Sequence, residues 1–263
     1  LFLKIIFNLK TKIILRISGY PKMNILRKLL WKVASSKIYK ITFPSHDLYL
    51  QFKELKIFDE NKLYVLYDPV INYKEIIRLK NNDDIPQKII NEKFILCIGR
   101  LTRQKNFSLV IKNFKTIKQK YTNIKLVIIG EGELKSEIEK QINKLGLGQD
   151  IFLLGFQSNV YKYLKKAEVF LLCSLWEEIG FVIVEAAACN LNIISSNCKN
   201  GPNEFLSSGK GGYLFENNSS EDFLLKFDEF MNDNVSDKLK KKILAKKETK
   251  KFSFLYHFNS FTK

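Results

Sequence analysis

Phe94-Ile95-Leu96-Cys97-Ile98-Gly99 is a short apolar run closed by glycine, followed at once by Arg100-Leu101-Thr102-Arg103-Gln104-Lys105-Asn106. A run of that length with no polar face reads as a strand buried on both sides. The next stretch, near 106–120, carries Phe107, Val110, Ile111, Phe114 and Ile117 at intervals of three and four, the spacing of a helix with one apolar face. A buried strand, a glycine turn and an amphipathic helix form one half of a parallel βαβ unit.

The same alternation repeats downstream. LVIIG (126–130) precedes ELKSEIEKQINKLG, which stops at Gly146, and IFLLG (151–155) precedes NVYKYLKKA. EVFLLCS (168–174) leads to a helix over about 180–190 and then to NIISS (192–196). GYLF (212–215) is followed by SEDFLLKFDEFMN, with Ser220 read as its N-cap. The pattern predicts an α/β fold with a doubly wound parallel sheet of Rossmann type, whose ligand sits beyond the carboxyl ends of the strands.

Upstream the signal is thinner. IILRIS (13–18) and KIYKITFPS (37–45) read as strands with a helix between them, and Ser45 caps a helix HDLYLQFKEL. We therefore expect a partial α/β unit over 1–70, a polar linker over 71–92 with Pro86, a main domain over 93–235, and a basic, aromatic helical tail over 236–263. The absence of an initiator Met leads us to expect a fragment.

The 263 residues are 46% hydrophobic and 27% charged, which excludes a disordered tail, a collagen-like repeat and a coiled coil. No run approaches the ~20 apolar residues that span a bilayer. The net charge of +17 raises nucleic acid or an anionic membrane as partners. Only five of the 44 cations are Arg, the side chain that reads base edges, so nucleic acid is not expected. A basic stretch over 236–247, followed by Phe252, Phe254, Tyr256 and Phe258, makes an anionic membrane surface the alternative, against a solvated closing helix. Cys97, Cys173, Cys189 and Cys198 show no CxxC pairing, and they read as reduced, buried thiols of a cytoplasmic protein.

Four loops carry the chemistry. Gly99 to Asn106 joins a close-approach glycine to Arg100, Arg103 and Lys105 before a helix N-terminus, which suits a diphosphate. Gly130-Glu131-Gly132 permits a ligand to approach the backbone, although a plain turn explains it equally well. In Trp176-Glu177-Glu178-Ile179-Gly180-Phe181-Val182-Ile183-Val184-Glu185, two carboxylates stand eight residues apart. Were the stretch between them helical, they would lie roughly 12 Å apart on one face, a span that fits an elongated polar ligand. Asn200-Gly201-Pro202-Asn203-Glu204 is a turn with a carboxylate just inside a helix, and alone it would read as an ordinary loop.

Taken together and in order, GRLTRQKN, IIGEG, WEEIGFVIVEAAA and NGPNEF resemble the donor-binding half of a GT-B glycosyltransferase of retaining family 4, the glycosyl transferases group 1. The resemblance covers about 92–235; residues 10–70 resemble, less specifically, the end of the acceptor domain. It implies that a sugar moves from a nucleotide diphosphate sugar to an acceptor hydroxyl with retention, in polysaccharide, lipopolysaccharide or glycolipid biosynthesis. The acceptor would be a glycan or a lipid-linked glycan at the inner membrane face.

The resemblance also implies roles for individual residues. Arg100 and Lys105 would hold the diphosphate, Glu177 the sugar hydroxyls and Glu185 the ribose. Gly180 and Phe181 would present backbone amides, and Gly99, Gly130 and Gly132 would line the donor site. No Asp-x-Asp motif is present, so neither metal nor cofactor is expected. Glu178-Ile179 replaces the family's usual Gly-Phe, and neither His46 nor His257 matches its acceptor-side histidine. A chain lacking the acceptor-side loop would bind donor and turn over poorly, and the alternative is a non-catalytic nucleotide-sugar-binding fragment or gene remnant.

Overall fold

The computed structural model describes residues 7, 10–19, 21, 24–82 and 84–261. The remaining positions of the N-terminal unit, linker and tail anticipated above lie outside the described residues. In chain order the first elements are β1 (Ile14–Arg16), α1 (Ile25–Ser35), β2 (Lys40–Phe43), α2 (His46–Glu54) and β3 (Leu63–Val65). Then come α3 (Tyr73–Lys80), α4 (Gln87–Ile90), β4 (Lys93–Ile98), α5 (Phe107–Lys120), β5 (Ile124–Ile129), α6 (Lys135–Lys144) and β6 (Ile151–Leu153). The chain continues through α7 (Tyr161–Lys166), β7 (Val169–Leu172), α8 (Phe181–Ala188), β8 (Asn192–Ser196), α9 (Pro202–Phe205) and β9 (Tyr213–Phe215). It closes with α10 (Ser220–Asn232), α11 (Val235–Glu248) and α12 (Phe254–Phe261).

Two parallel sheets result. The first runs β1-β2-β3, and the second runs β6-β5-β4-β7-β8-β9. In the larger sheet the first strand in sequence, β4, lies between β5 and β7, so the winding direction reverses beside it. That reversal opens a crevice at the carboxyl ends of β4 and β7.

Strand alternation explains the apolar runs. Phe94, Leu96 and Ile98 of β4 enter the core under α3, α7 and α8, while Ile95 and Cys97 enter the opposite core under α5, α6 and α10. Both faces are covered, so neither carries a polar row. A separate small core joins Ile41 and Phe43 of the first sheet to Leu48 and Phe52 of α2. All four cysteines are free thiols, with Cys97, Cys173 and Cys198 buried. Burial pushes the Cys173 thiol up to about 12 and the Cys198 thiol up to about 11.

Two expectations are corrected. The polar stretch expected to be a linker contains α3 and α4, and Ile76, Ile85 and Ile89 bury themselves in the larger unit's core. The Asn72 side chain caps α3, accepting from Glu75 N–H at 3.3 Å. Few buried anchors on two short helices leave too weak a period to see against the polar residues. The cap of α10 is Ser219 rather than Ser220, its hydroxyl accepting from Asp222 N–H at 3.1 Å.

The C-terminal segment folds back on the passage between the sheets. Ile71 N–H donates to Phe252 O at 2.9 Å, and the Tyr67 and Phe252 rings meet at 5.1 Å. His257 Nδ1 donates to Tyr67 O at 2.6 Å. Among the described residues, no helix is long and apolar enough to cross a membrane.

Candidate functional site

Four loops converge at the carboxyl edge of the larger sheet. After β4, Gly99 N–H donates to Ile129 O at 3.0 Å and Leu101 N–H to Glu131 O at 2.9 Å. The loop is thus stitched to the end of β5. A Cβ on Gly130, whose φ is +142°, would fall 1.9 Å from Gly99 O, and one on Gly132 would fall 2.4 Å from Leu101 O. The space left by both glycines is therefore filled by the neighbouring backbone.

A 3-10 turn at Arg103–Lys105, then Asn106 in the left-handed region at φ +50°, swings the chain into α5. The turn sends Lys105 inward. Its Nζ reaches Glu177 Oε1 at 2.5 Å, and only 12% of the Lys105 side chain and 6% of that of Glu177 remain exposed. Ser174 Oγ donates to the same carboxylate oxygen at 2.6 Å, and Ser196 Oγ donates to Ser174 O at 2.7 Å. Leu175 N–H donates to Gln104 O at 2.8 Å, closing the β4 loop onto the β7 loop. A buried charge pair is held only where hydrogen bonds fill its remaining sites, and Ser174 supplies one here.

Arg100 projects from the same loop into solvent, and among the described residues it makes no ion pair. An uncompensated guanidinium therefore stands on the rim, near a lysine already committed on one side. Lysine offers three N–H donors, so pairing with Glu177 leaves capacity for an anion.

The segment from Glu177 to Glu185 is not one helix. It turns at Gly180, left-handed at φ +74°, and α8 starts only at Phe181, without a side-chain cap. The 12 Å one-face estimate accordingly does not apply. Glu177 faces Lys105, whereas Glu185 accepts from Tyr161 Oη at 2.9 Å on the α7 side. Burial raises the Glu185 carboxyl above the ordinary carboxylate range, and the Tyr161 hydrogen bond pulls it partly back. Phe181 is 40% exposed at the head of α8.

The two units face each other across a cleft of about 1080 Å³, lined by Gly19, Gln51, Gln104, Trp176, Glu177, Glu178 and Lys199 among others. Beside it the units are joined by polar contacts. Asp47 N–H donates to Glu204 Oε2 at 3.1 Å, Tyr67 Oη donates to Glu204 Oε1 at 2.7 Å, and Gln51 Nε2 donates to Asn200 Oδ1 at 2.6 Å. Burial, and then the nearby Glu204 charge, raise the Asp47 carboxyl.

The structure thus brings together Gly99, Gly130, Gly132, Lys105, Glu177 and Gly180, and it leaves Arg100 on the rim and Glu185 with Tyr161. Sequence reasoning missed Ser174, Tyr161, Gln51 and Gly19. Ser174 closes the quoted strand VFLLCS and was readable as a strand-end hydroxyl; the others carry no local signal. His46 is an exposed residue at the start of α2.

Several known proteins resemble this chain. It is 38% identical over 194 residues to an uncharacterized glycosyltransferase of Methanocaldococcus jannaschii, covering 71% of this chain and 46% of that protein. It is 29% identical over 256 residues to a Campylobacter jejuni N-acetylgalactosamine-N,N'-diacetylbacillosaminyl-diphospho-undecaprenol 4-alpha-N-acetylgalactosaminyltransferase, covering 94% of this chain and 67% of that one. The chain therefore spans about half to two thirds of the length of these relatives. Among solved structures, a glycosyltransferase from Rickettsia africae superposes with a TM-score of 0.79 at 17% identity, covering 98% of this chain and 70% of that one. Anabaena HepE, solved with UDP and glucose, gives 0.76 at 16% identity, covering 98% and 72%. These likenesses identify the two-sheet architecture as the GT-B fold. Residues 80–250 match the family described as "Glycosyl transferases group 1", and the chain belongs to that family.

Proposed function

We propose that the chain binds a nucleotide diphosphate sugar at the β4–β7 crevice and transfers the sugar, with retention, to a hydroxyl of a glycan or lipid-linked acceptor in the cleft. The observation that carries this reading is the buried Lys105–Glu177 pair at the winding reversal, with the uncompensated Arg100 on the same loop. A cation with spare donors beside a fixed carboxylate suits a diphosphate adjoining a sugar hydroxyl.

In this reading the acceptor oxygen bonds to the anomeric carbon on the face from which the diphosphate leaves. The carbon–phosphate-oxygen bond breaks, and the acceptor proton passes to the departing diphosphate. Arg100 and Lys105 stabilise the growing negative charge, an electrostatic contribution that is usually the largest single one. Glu177 orients the sugar hydroxyls, Glu185 accepts from the ribose, and the uncapped amides at Gly180 and Phe181 meet the sugar phosphate. The basic pair occupies the place a divalent cation would take, so transfer proceeds without metal. The named acceptor of the Campylobacter relative, a diphospho-undecaprenol, supports a lipid-linked glycan as acceptor for this chain, and with such an acceptor the chain would work at the inner membrane face.

Calorimetry with UDP and GDP, on the parent and on Arg100→Ala, tests the reading. Weaker binding of at least one diphosphate in the variant supports it, and equal affinity for both would sink the diphosphate assignment. A panel of nucleotide sugars in a thermal-shift assay then identifies the donor, and added chelator leaves its binding unchanged.

A further inference from the structure

Trp176 stands 48% exposed on the wall of the cleft, and Leu50 of α2, 42% exposed, lines it from the smaller unit. The backbone that carries this indole is fixed on both sides. Gln104 Nε2 donates to Trp176 O at 2.9 Å, Trp176 pairs with Lys199 in a single parallel bridge, and Glu177 N–H donates to Lys199 O at 3.3 Å. A pinned aromatic ring in a concave site, with a few polar groups around it, is a platform for a small ligand. A sugar fits it, because the ring C–H groups lie flat on an aromatic face while the hydroxyls meet the polar groups beside it.

Charge narrows the choice of sugar. The chain carries a net +17, yet the charged residues lining the cleft are the carboxylates Asp47, Glu54, Glu177 and Glu178 against the single cation Lys199. Glu177 is taken by Lys105, and Asp47 accepts from Gly201 N–H at 3.5 Å. Glu54 and Glu178 make no ion pair among the described residues, so the free charge of the cleft is negative. Glu178 reaches the smaller unit, where a Cβ on Gly19 would lie 2.6 Å from its Oε1. Its carboxylate therefore faces the acceptor side rather than the diphosphate loop. An anionic group brought into this space meets repulsion, whereas a hydroxyl or an ammonium finds acceptors.

We propose that Trp176 is the stacking platform for the acceptor sugar, and that Glu54 and Glu178 restrict this subsite to an uncharged or amine-bearing sugar, excluding uronic acids and phosphorylated sugars. The proposal rests on the acceptor cleft of the reading above and adds which sugars it takes.

Trp31, the other of the two tryptophans, stacks on Phe52 and Phe58 in the small core. Trp31→Phe thus leaves Trp176 as the one tryptophan, and its emission reports stacking directly. The test titrates that protein, with UDP present, against methyl glycosides of glucose and galactose, their 2-amino and 2-acetamido forms, and their uronic acids. The uncharged and amine-bearing glycosides should change the emission, and the uronic acids should bind about five-fold more weakly, a gap that salt narrows. Glu54→Gln/Glu178→Gln should close the gap. Saturation-transfer NMR should show glycoside binding weakened about ten-fold in Trp176→Ala and largely kept in Trp176→Phe. Unchanged circular dichroism in these variants establishes that they fold. Emission that no glycoside changes, even near the solubility limit, overturns the platform. Uronic acids that bind the parent as tightly as uncharged glycosides overturn the charge assignment. UDP affinity, measured by calorimetry on the same protein, is a separate readout. Glycoside binding without UDP binding sinks the donor reading and leaves the platform standing, and UDP binding with a silent Trp176 does the reverse.

Discussion

Lys105 and Glu177, 72 residues apart in sequence, form a 2.5 Å ion pair that joins the β4 loop to the β7 loop where the sheet reverses its winding. The pair is both structural and functional in our reading, and those two roles separate on mutation. Lys105→Ala would leave Glu177 buried with only Ser174 as partner, which costs about 3–5 kcal/mol when a buried pair loses one member. Arg100→Ala removes an exposed group and should change stability by no more than about 0.5 kcal/mol. Urea unfolding that ranked the two variants equally would contradict the burial argument.

Ligand affinity should follow a different order. Arg100→Ala is expected to weaken nucleoside diphosphate binding by about 1.5–3 kcal/mol, the range for hydrogen bonds to charged groups. Calorimetry at fixed salt measures it, and a loss confined to Lys105→Ala would remove Arg100 from the site.

Glycine substitutions probe the stitched loops. Gly130→Ala places a Cβ 1.9 Å from Gly99 O, where only backbone movement can relieve it, so a loss above about 2 kcal/mol is expected. Gly146→Ala shares a positive φ, +69°, but meets nothing within 4 Å, and should cost about 1 kcal/mol. Denaturant midpoints compare the two directly, and similar values would show that the loops yield.

Glu185 gives a pH dependence. Its carboxyl is raised by burial, so on acidification it takes up a proton before ordinary carboxylates do. If it accepts from a ribose, nucleotide affinity falls as pH drops through that raised value. Tyr161→Phe removes the hydrogen bond that lowers it, so the fall should begin at higher pH. For folding the sign is opposite. A raised carboxyl adds stability that is complete below its unfolded value and lost as pH rises through the folded one. Calorimetric UDP titrations between pH 4 and 8 in both proteins read the shift, and coincident profiles would take Glu185 out of contact with the nucleotide.

Asp150 serves as the contrasting case, away from the site. Burial pushes its carboxyl up, but hydrogen bonds from Lys118 and Lys125, both at 2.8 Å, bring it below the ordinary value. Its stabilisation is therefore present above its unfolded value and lost as pH falls through the folded one. Asp150→Asn should cost about 1 kcal/mol at neutral pH and nothing near pH 2. A cost independent of pH would mean that packing, not charge, is at stake.

The legible parts of the sequence were those with strong local contrast. Strands covered on both faces appear as unbroken apolar runs, so FILCIG, LVIIG and VFLLCS marked the larger sheet, and their loops marked the crevice. α3 and α4 lacked that contrast, because Ile76, Ile85 and Ile89 are scattered among lysines and asparagines. The Lys105–Glu177 pair was beyond reach because it depends on which strands become neighbours. The glycines of IIGEG were read for ligand approach or a turn, whereas crossing backbone fills their space; nothing in the stretch itself names the neighbour it must clear.

The passage between the two sheets is double. One strand of it is residues 66–71, and the other is the returning segment around Phe252 and His257, tied to the first at Ile71 and Tyr67. A joint made of one peptide can swivel in any direction, but two parallel tethers resist torsion and leave bending about the line that connects them. Any opening of the cleft is thereby reduced to a single angular coordinate. Gly19 and Glu178 touch where the units meet, a Cβ on Gly19 falling 2.6 Å from Glu178 Oε1, and on opening they would move apart along a fixed arc.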